Sequence, residues 1–175
     1  MMLARQELIA EIGDSDQAFL QENSPSLALR RAKLRLQLIP HSVQEAEQLY
    51  FLHEAIVILE QARLEFDEMP LSLYIDLSVA LADAYFVYYT LEKQNRFAVI
   101  IQQILKPLAH HEHADIYYHL ACVSAIQNKP AMLQHWLKKY LKHENSELAR
   151  IHDNRVFVDF KELDWWQNLL KTKLC

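Results

Sequence analysis

A single glycine, Gly13, in a chain of 175 residues is the feature that most constrains what this sequence can fold into. Tight strand hairpins and phosphate-cradling loops take glycine for left-handed backbone angles, and roughly 7% glycine is ordinary usage. With one glycine and five prolines, frequent turns are possible only where they join helices. The expected fold class is therefore all-α. A dinucleotide fingerprint or a phosphate loop needs two or three glycines at fixed spacing, so both are excluded. Hydrophobic residues at 51% and charged residues at 23% fit a globular chain large enough to bury a core without staples.

The first residues do not suggest a secretory leader, because Glu7, Glu11 and Asp14 interrupt any apolar segment. No stretch approaches about 18 uninterrupted apolar residues, which argues against a membrane span. Cys122 and Cys175 are far apart and suggest no disulfide framework, so a reducing, cytoplasmic setting is expected. The ending Thr-Lys-Leu-Cys lacks a prenylation pattern. A formal net charge of −5 argues against nucleic acid as the partner. The charge is uneven: Glu45, Glu47, Glu54, Glu60, Glu65, Asp67 and Glu68 face only Arg63, while Lys129, Lys138, Lys139, Lys142 and Arg150 dominate later. Such runs are usually solvated helix faces, and the sharper alternative is an acidic surface that recruits a basic partner.

Proline and serine punctuation divides the chain. Ser24-Pro25-Ser26 opens a helix that runs to about Ile39 and stops at Pro40. Ser42 with Glu45 three residues on has capping-box spacing for the next helix, in which Ala46, Leu49, Tyr50, Ile56, Leu59 and Phe66 follow helical order. Pro70 begins a third helix reaching about Lys93, and a fourth spans about Arg96 to Lys106. His110 to His113 form a loop, a fifth helix spans Asp115 to Ile126, and Asn128-Lys129-Pro130 turns the chain into a sixth ending near His143. Shorter helices are expected near Glu147 to Ile151 and Phe160 to Lys171, with one or two more before Ser24, around Ala4 to Ile12 and Asp16 to Glu22.

A shift of 33 positions pairs Tyr85 with Tyr118, Val87 with Leu120, Asn95 with Asn128, Ile100 with Leu133 and Ile104 with Leu137. A period near 34 with two helices per unit is the tetratricopeptide pattern. The segment Asp115-Ile116-Tyr117-Tyr118-His119-Leu120-Ala121-Cys122 resembles the first helix of such a repeat, and Trp136, Leu137 and Tyr140 sit where a second helix places its large apolar residues. Glu54-Ala55-Ile56 with Leu59 and Ala62 resembles an earlier second helix, and Asp153, Phe157, Phe160, Trp166, Leu169 and Leu170 resemble the capping region after the last repeat. The chain departs from the family at Tyr88 and Leu133, where small residues are usual, and at Pro107. The resemblance covers residues 26 to 143. It implies a single domain of antiparallel helical hairpins stacked as a short, TPR-like right-handed superhelix: N-terminal helices over 1–24, about three hairpins over 26–143, and capping helices over 144–175.

In such an array the first helices line the inner surface. The resemblance thus places Tyr85, Tyr89 and Cys122 there, with Asp115, Tyr118 and His119 beside them. Tyrosine suits a binding surface, although Tyr85, Tyr88 and Tyr89 at helical spacing also fit a core stripe. The implied function is a non-catalytic adaptor that binds a peptide or helix of a partner protein, without a cofactor. The alternatives are an immunity protein or secretion chaperone that sequesters a toxin or cargo, and a metal-dependent enzyme using His110, His111, Glu112, His113, Asp115 and His119. That last set matches no established zinc spacing, although Asp115 and His119 fall one helical turn apart. Trp165-Trp166 is read as a seal on the end of the stack or a partner contact.

Overall fold

The computed structural model describes residues 4–174, the side chain of Leu174 excepted. Cys175 and the first three residues, on which the disulfide, prenylation and leader readings partly rest, lie outside the described residues. Every regular element among the described residues is helical, with no strand. The chain divides into two compact units, Met1–Lys93 and Gln94–Cys175, where the sequence reading expected one domain.

The first unit contains α1 (Arg5–Gln21), α2 (Pro25–Leu38), α3 (Glu45–Glu65) and α4 (Leu71–Glu92). Consecutive helices pack on each other, and α2 also meets α4. Ser24 starts α2 as expected, its hydroxyl accepting from the Leu27 amide at 3.1 Å, with Pro25 in the first turn. Gly13 interrupts nothing: α1 is one helix, and a methyl group added at Gly13 would meet no atom within 4 Å. Ser42 does not cap α3. The chain passes through Pro40 in a 3-10 turn, Ile39–His41, and the Ser42 hydroxyl donates back to the Leu38 carbonyl at 3.4 Å. Gln44 stands at the start of α3 instead.

Leu8, Leu34 and Leu38 form a buried cluster with Ile12 and Phe51 against it, fixing α1 and α3 to α2. Ala55, Leu59 and Ala62 of α3 and Leu77, Ala80, Leu81 and Ala84 of α4 are also buried. The small residues allow close approach of the helices. One charged group is built into this unit. Arg35, only 4% exposed, donates from Nη2 to Asp16 and from Nε to Glu54, both at 2.8 Å. Arg31 adds a second bond to Asp16 at 2.8 Å, so α1, α2 and α3 share one ion network.

By length and composition the 22-residue helix α4 is apolar enough to cross a bilayer, although Asp76 and Asp83 interrupt it. It packs against α3 and α2, and 39% of its most apolar stretch is buried.

The second unit contains α5 (Arg96–Leu105), α6 (Ala114–Ile126), α7 (Pro130–Lys142), α8 (Leu148–Asp153) and α9 (Asp164–Leu174), with 3-10 segments at Lys106–His111 and Arg155–Phe160. Half of the His-rich loop is thus 3-10 helix, because Pro107 ends α5 without reversing the chain. α6 is the centre of the unit: Ala114 and every residue from Ile116 to Ala125 are buried. It packs against α5, α7 and the Arg155–Phe160 segment, while α9 packs on α7.

The two turn asparagines differ in backbone conformation. Asn128 closes α6 with a left-handed φ of 51°, but Asn95 is right-handed, with φ −61°, and opens α5. The left-handed residue after α4 is Lys93, φ 55°. α4 and α6 end at Glu92 and Ile126, and α5 and α7 begin at Arg96 and Pro130, each pair 34 residues apart.

Candidate binding surfaces

The six residues expected on a binding surface divide between the units. Tyr85 and Tyr89 belong to α4, in the first unit, and both are half-buried. The Tyr85 hydroxyl donates to the Glu60 carboxylate at 2.6 Å. Burial, and then that carboxylate, push its pKa well above the tyrosine range. The Tyr89 ring stacks on Phe86 at 6.2 Å and holds the Lys93 ammonium 5.5 Å above its centre.

Asp115, Tyr118, His119 and Cys122 come together on α6, but three of them are not surface residues. Tyr118 is 8% exposed, His119 2% and Cys122 1%. The surface position expected for these three is corrected to an interior one, because the segment after α7 lies on this face. The Tyr118 hydroxyl accepts from Asn154 Nδ2 at 2.7 Å and donates to the Arg150 carbonyl at 3.3 Å. The Arg150 guanidinium lies 4.0 Å over the Tyr118 ring, and Phe157 meets that ring edge-on at 6.3 Å. Asn154 Nδ2 also reaches Cys122 Sγ at 3.6 Å. Burial, first of all, raises the pKa of Tyr118 well beyond its ordinary value.

Asp115 remains half-buried and pairs with Arg150 at 2.5 Å. Burial alone would raise its carboxyl, but the Arg150 hydrogen bond and charge, with smaller help from His119 and His113, leave it below the usual carboxylate range.

The histidine cluster has structural duties. His113 caps α6, its Nδ1 accepting from the Asp115 amide at 3.3 Å. His119 Nδ1 bonds the Asp115 carbonyl at 2.7 Å, so the expected Asp115–His119 face is not a pair of free ligands. Glu112 carries a left-handed φ of 52°, and its carbonyl meets His143 Nε2 at 3.0 Å. Among the described residues no three His, Cys, Asp or Glu side chains converge where a metal could be held.

An open apolar stripe lies on α3. Tyr50, Val57 and Leu64 are 59%, 51% and 81% exposed and stand seven residues apart, which keeps them on one helical stripe. A cavity of about 420 Å³ opens beside Tyr50 and Val57, with Phe19 of α1 and His53 of α3 also lining it. Its charged edge is the Arg35–Glu54 pair. Burial opposes the Arg35 charge, but hydrogen bonds to Asp16 and Glu54 outweigh it and raise the arginine pKa further. At this edge the Arg35 guanidinium is met by the Glu54 carboxylate at 2.8 Å. The sequence carried this stripe in its seven-residue spacing. It was hidden because Leu52, Ala55, Ile56, Leu59 and Ala62 give the same helix a second, buried apolar face.

Comparison with known proteins adds no identity: no family model, curated protein or solved structure matches this chain.

Proposed function

We propose that this chain is a non-catalytic protein-binding module, built on TPR-like helical hairpins, that takes a helix or peptide of a partner protein on the open stripe of α3. The observation that carries the reading is the exposed run of Tyr50, Val57 and Leu64 beside the 420 Å³ cavity. Large side chains spaced two turns apart are what an amphipathic helix packs against. Burying roughly 200 Å² of such surface contributes on the order of 5 kcal/mol, of the same size as the freedom lost on association. The ion network beneath supplies rigidity, since Arg35 ties α3 to α1 and α2 at two points. Contact of α2 with both α3 and α4 supports the repeat-like part of the reading, because stacked hairpins bring successive first helices together. The α3 stripe replaces the α6 face as the contact surface.

The test compares affinity capture from a lysate of the source cells by the wild-type chain and by Val57→Glu, with mass spectrometry of what is retained. The expected result is a protein held at least tenfold better by the wild type, while circular dichroism of the two chains coincides. If the folded variant retains the same proteins equally, or neither chain enriches anything, the α3 stripe is not a binding surface.

A further inference from the structure

The second unit carries a groove with a different chemistry. It runs between α7 and α9, has a volume of about 640 Å³, and is floored by Trp165 and Leu169. Lys138 and Lys142, one helical turn apart, form one wall. Asn168 and Thr172 form the other, and no acidic side chain lines it. The adjacent tryptophans divide the work: Trp166 is buried against Phe157 at 5.4 Å, while Trp165 stays half-exposed toward the groove.

The charge of the two walls is one-sided. α7 and α9 together carry Lys138, Lys139, Lys142, Lys171 and Lys173 against one acid, Asp164. Neither Lys138 nor Lys142 makes an ion pair among the described residues. Unpaired like charges one turn apart oppose helix formation slightly, so an occupant that neutralises them gains both attraction and relief.

We infer that this groove is a docking site for an acidic amphipathic helix of a partner protein, distinct from the α3 stripe and independent of it. The groove positions repeat helically: Gln134, Lys138 and Lys142 on α7, and Trp165, Asn168, Leu169 and Thr172 on α9. From Gln134 to Lys142 the α7 wall rises about 12 Å, or roughly two turns of a docked helix. A leucine or aromatic anchor on that helix packs on Trp165 and Leu169. Glutamates or aspartates at i and i+4 then meet Lys138 and Lys142. A single-stranded nucleic acid would also use a tryptophan and lysines. The observations favour the helix, because two lysines about 6 Å apart along α7 match few phosphates and the chain as a whole carries −5.

The experiment pans a phage-displayed library of random 16-residue peptides on the full chain and on Lys138→Glu/Lys142→Glu, with Lys138→Gln/Lys142→Gln as a milder second variant. Selected peptides and a labelled dT15 oligonucleotide are then titrated by fluorescence polarisation at low and high salt. Expected are peptides with paired acids at helical spacing around a large apolar residue. Their affinity should fall at least tenfold on the glutamate variant and severalfold on the glutamine variant, both remaining folded by circular dichroism, and dT15 should bind at least tenfold more weakly. Enrichment of basic or neutral peptides, selection unchanged on the folded variants, no enrichment at all, or equal binding of dT15 would each overturn the proposal.

Discussion

α3 and α6 are built from similar parts, yet one is left open and the other is covered. α3 carries Tyr50, His53 and Val57 at helical spacing, and α6 carries Tyr118 and Cys122 one turn apart with His119 beside them. On α6 the segment that follows α7 supplies Arg150, Asn154 and Phe157, which satisfy the tyrosine hydroxyl and cover its ring. On α3 Tyr50 and Val57 remain more than half exposed. The residue types of a stripe therefore do not decide whether it stays open to solvent. That depends on whether a later segment of the same chain carries the complementary groups.

The strongest way to break this comparison is to attack the sealed face. Tyr118→Ala removes a buried ring and leaves Asn154 without its partner, so chemical denaturation should show a loss of about 3–4 kcal/mol. A variant that keeps its stability would mean that the α6 face is open after all. Next comes Arg35→Ala, which leaves Asp16 and Glu54 without their shared cation. Both carboxylates retain about a third of their exposure, so water recovers part of the loss, and about 2 kcal/mol is expected, below the figure for a fully buried pair. The same measurement on an α1-deleted chain should show a smaller effect, since one of the two acids is then gone.

Asp115 sharpens the comparison through pH. Its folded pKa lies below the unfolded value of about 3.9. The contribution of the Arg150 pair is therefore complete above that value and is lost as pH falls through the folded pKa. Asp115→Asn should lower stability at neutral pH by about 1 kcal/mol, and its stability should fall less steeply than the wild type's below about pH 4. Denaturant midpoints from pH 7 to pH 2.5 would show parallel curves if the pair had no such role. The smallest effect belongs to the open face, where Val57→Ala should change stability by no more than about 0.5 kcal/mol. A larger loss would make Val57 a packing residue.

Much of the fold was legible because its punctuation is chemical. Pro25, Pro70 and Pro130 each stand at the start of a helix, positions a proline tolerates. Two readings failed for local reasons. Ser42 had the right spacing for a cap, but its hydroxyl is engaged by the Leu38 carbonyl. Asn95 and Asn128 matched in type but not in backbone conformation, since a lysine can hold the left-handed turn after α4. The surfaces were less legible. Arg150, Asn154 and Phe157 lie beyond the repeat, so no periodicity shows that they return to α6. Tyr50, Val57 and Leu64 share a helix with a buried apolar face, and composition cannot tell which face is covered.

The left-handed residues after α4, before α6 and after α6, Lys93, Glu112 and Asn128, have a consequence for engineering. None is a glycine, while the only glycine sits inside α1 with open space around it. The chain thus places its most permissive residue where rigidity would help, and side chains where permissiveness would. Exchanging them, Gly13→Ala with Lys93→Gly, should raise the melting temperature by several degrees, at about 0.5–1 kcal/mol for each change. Neither substitution touches the α3 stripe or the α7–α9 groove. A chain of this kind retains an unused stability reserve, and its binding faces can be redesigned on that more robust scaffold without first being traded against folding.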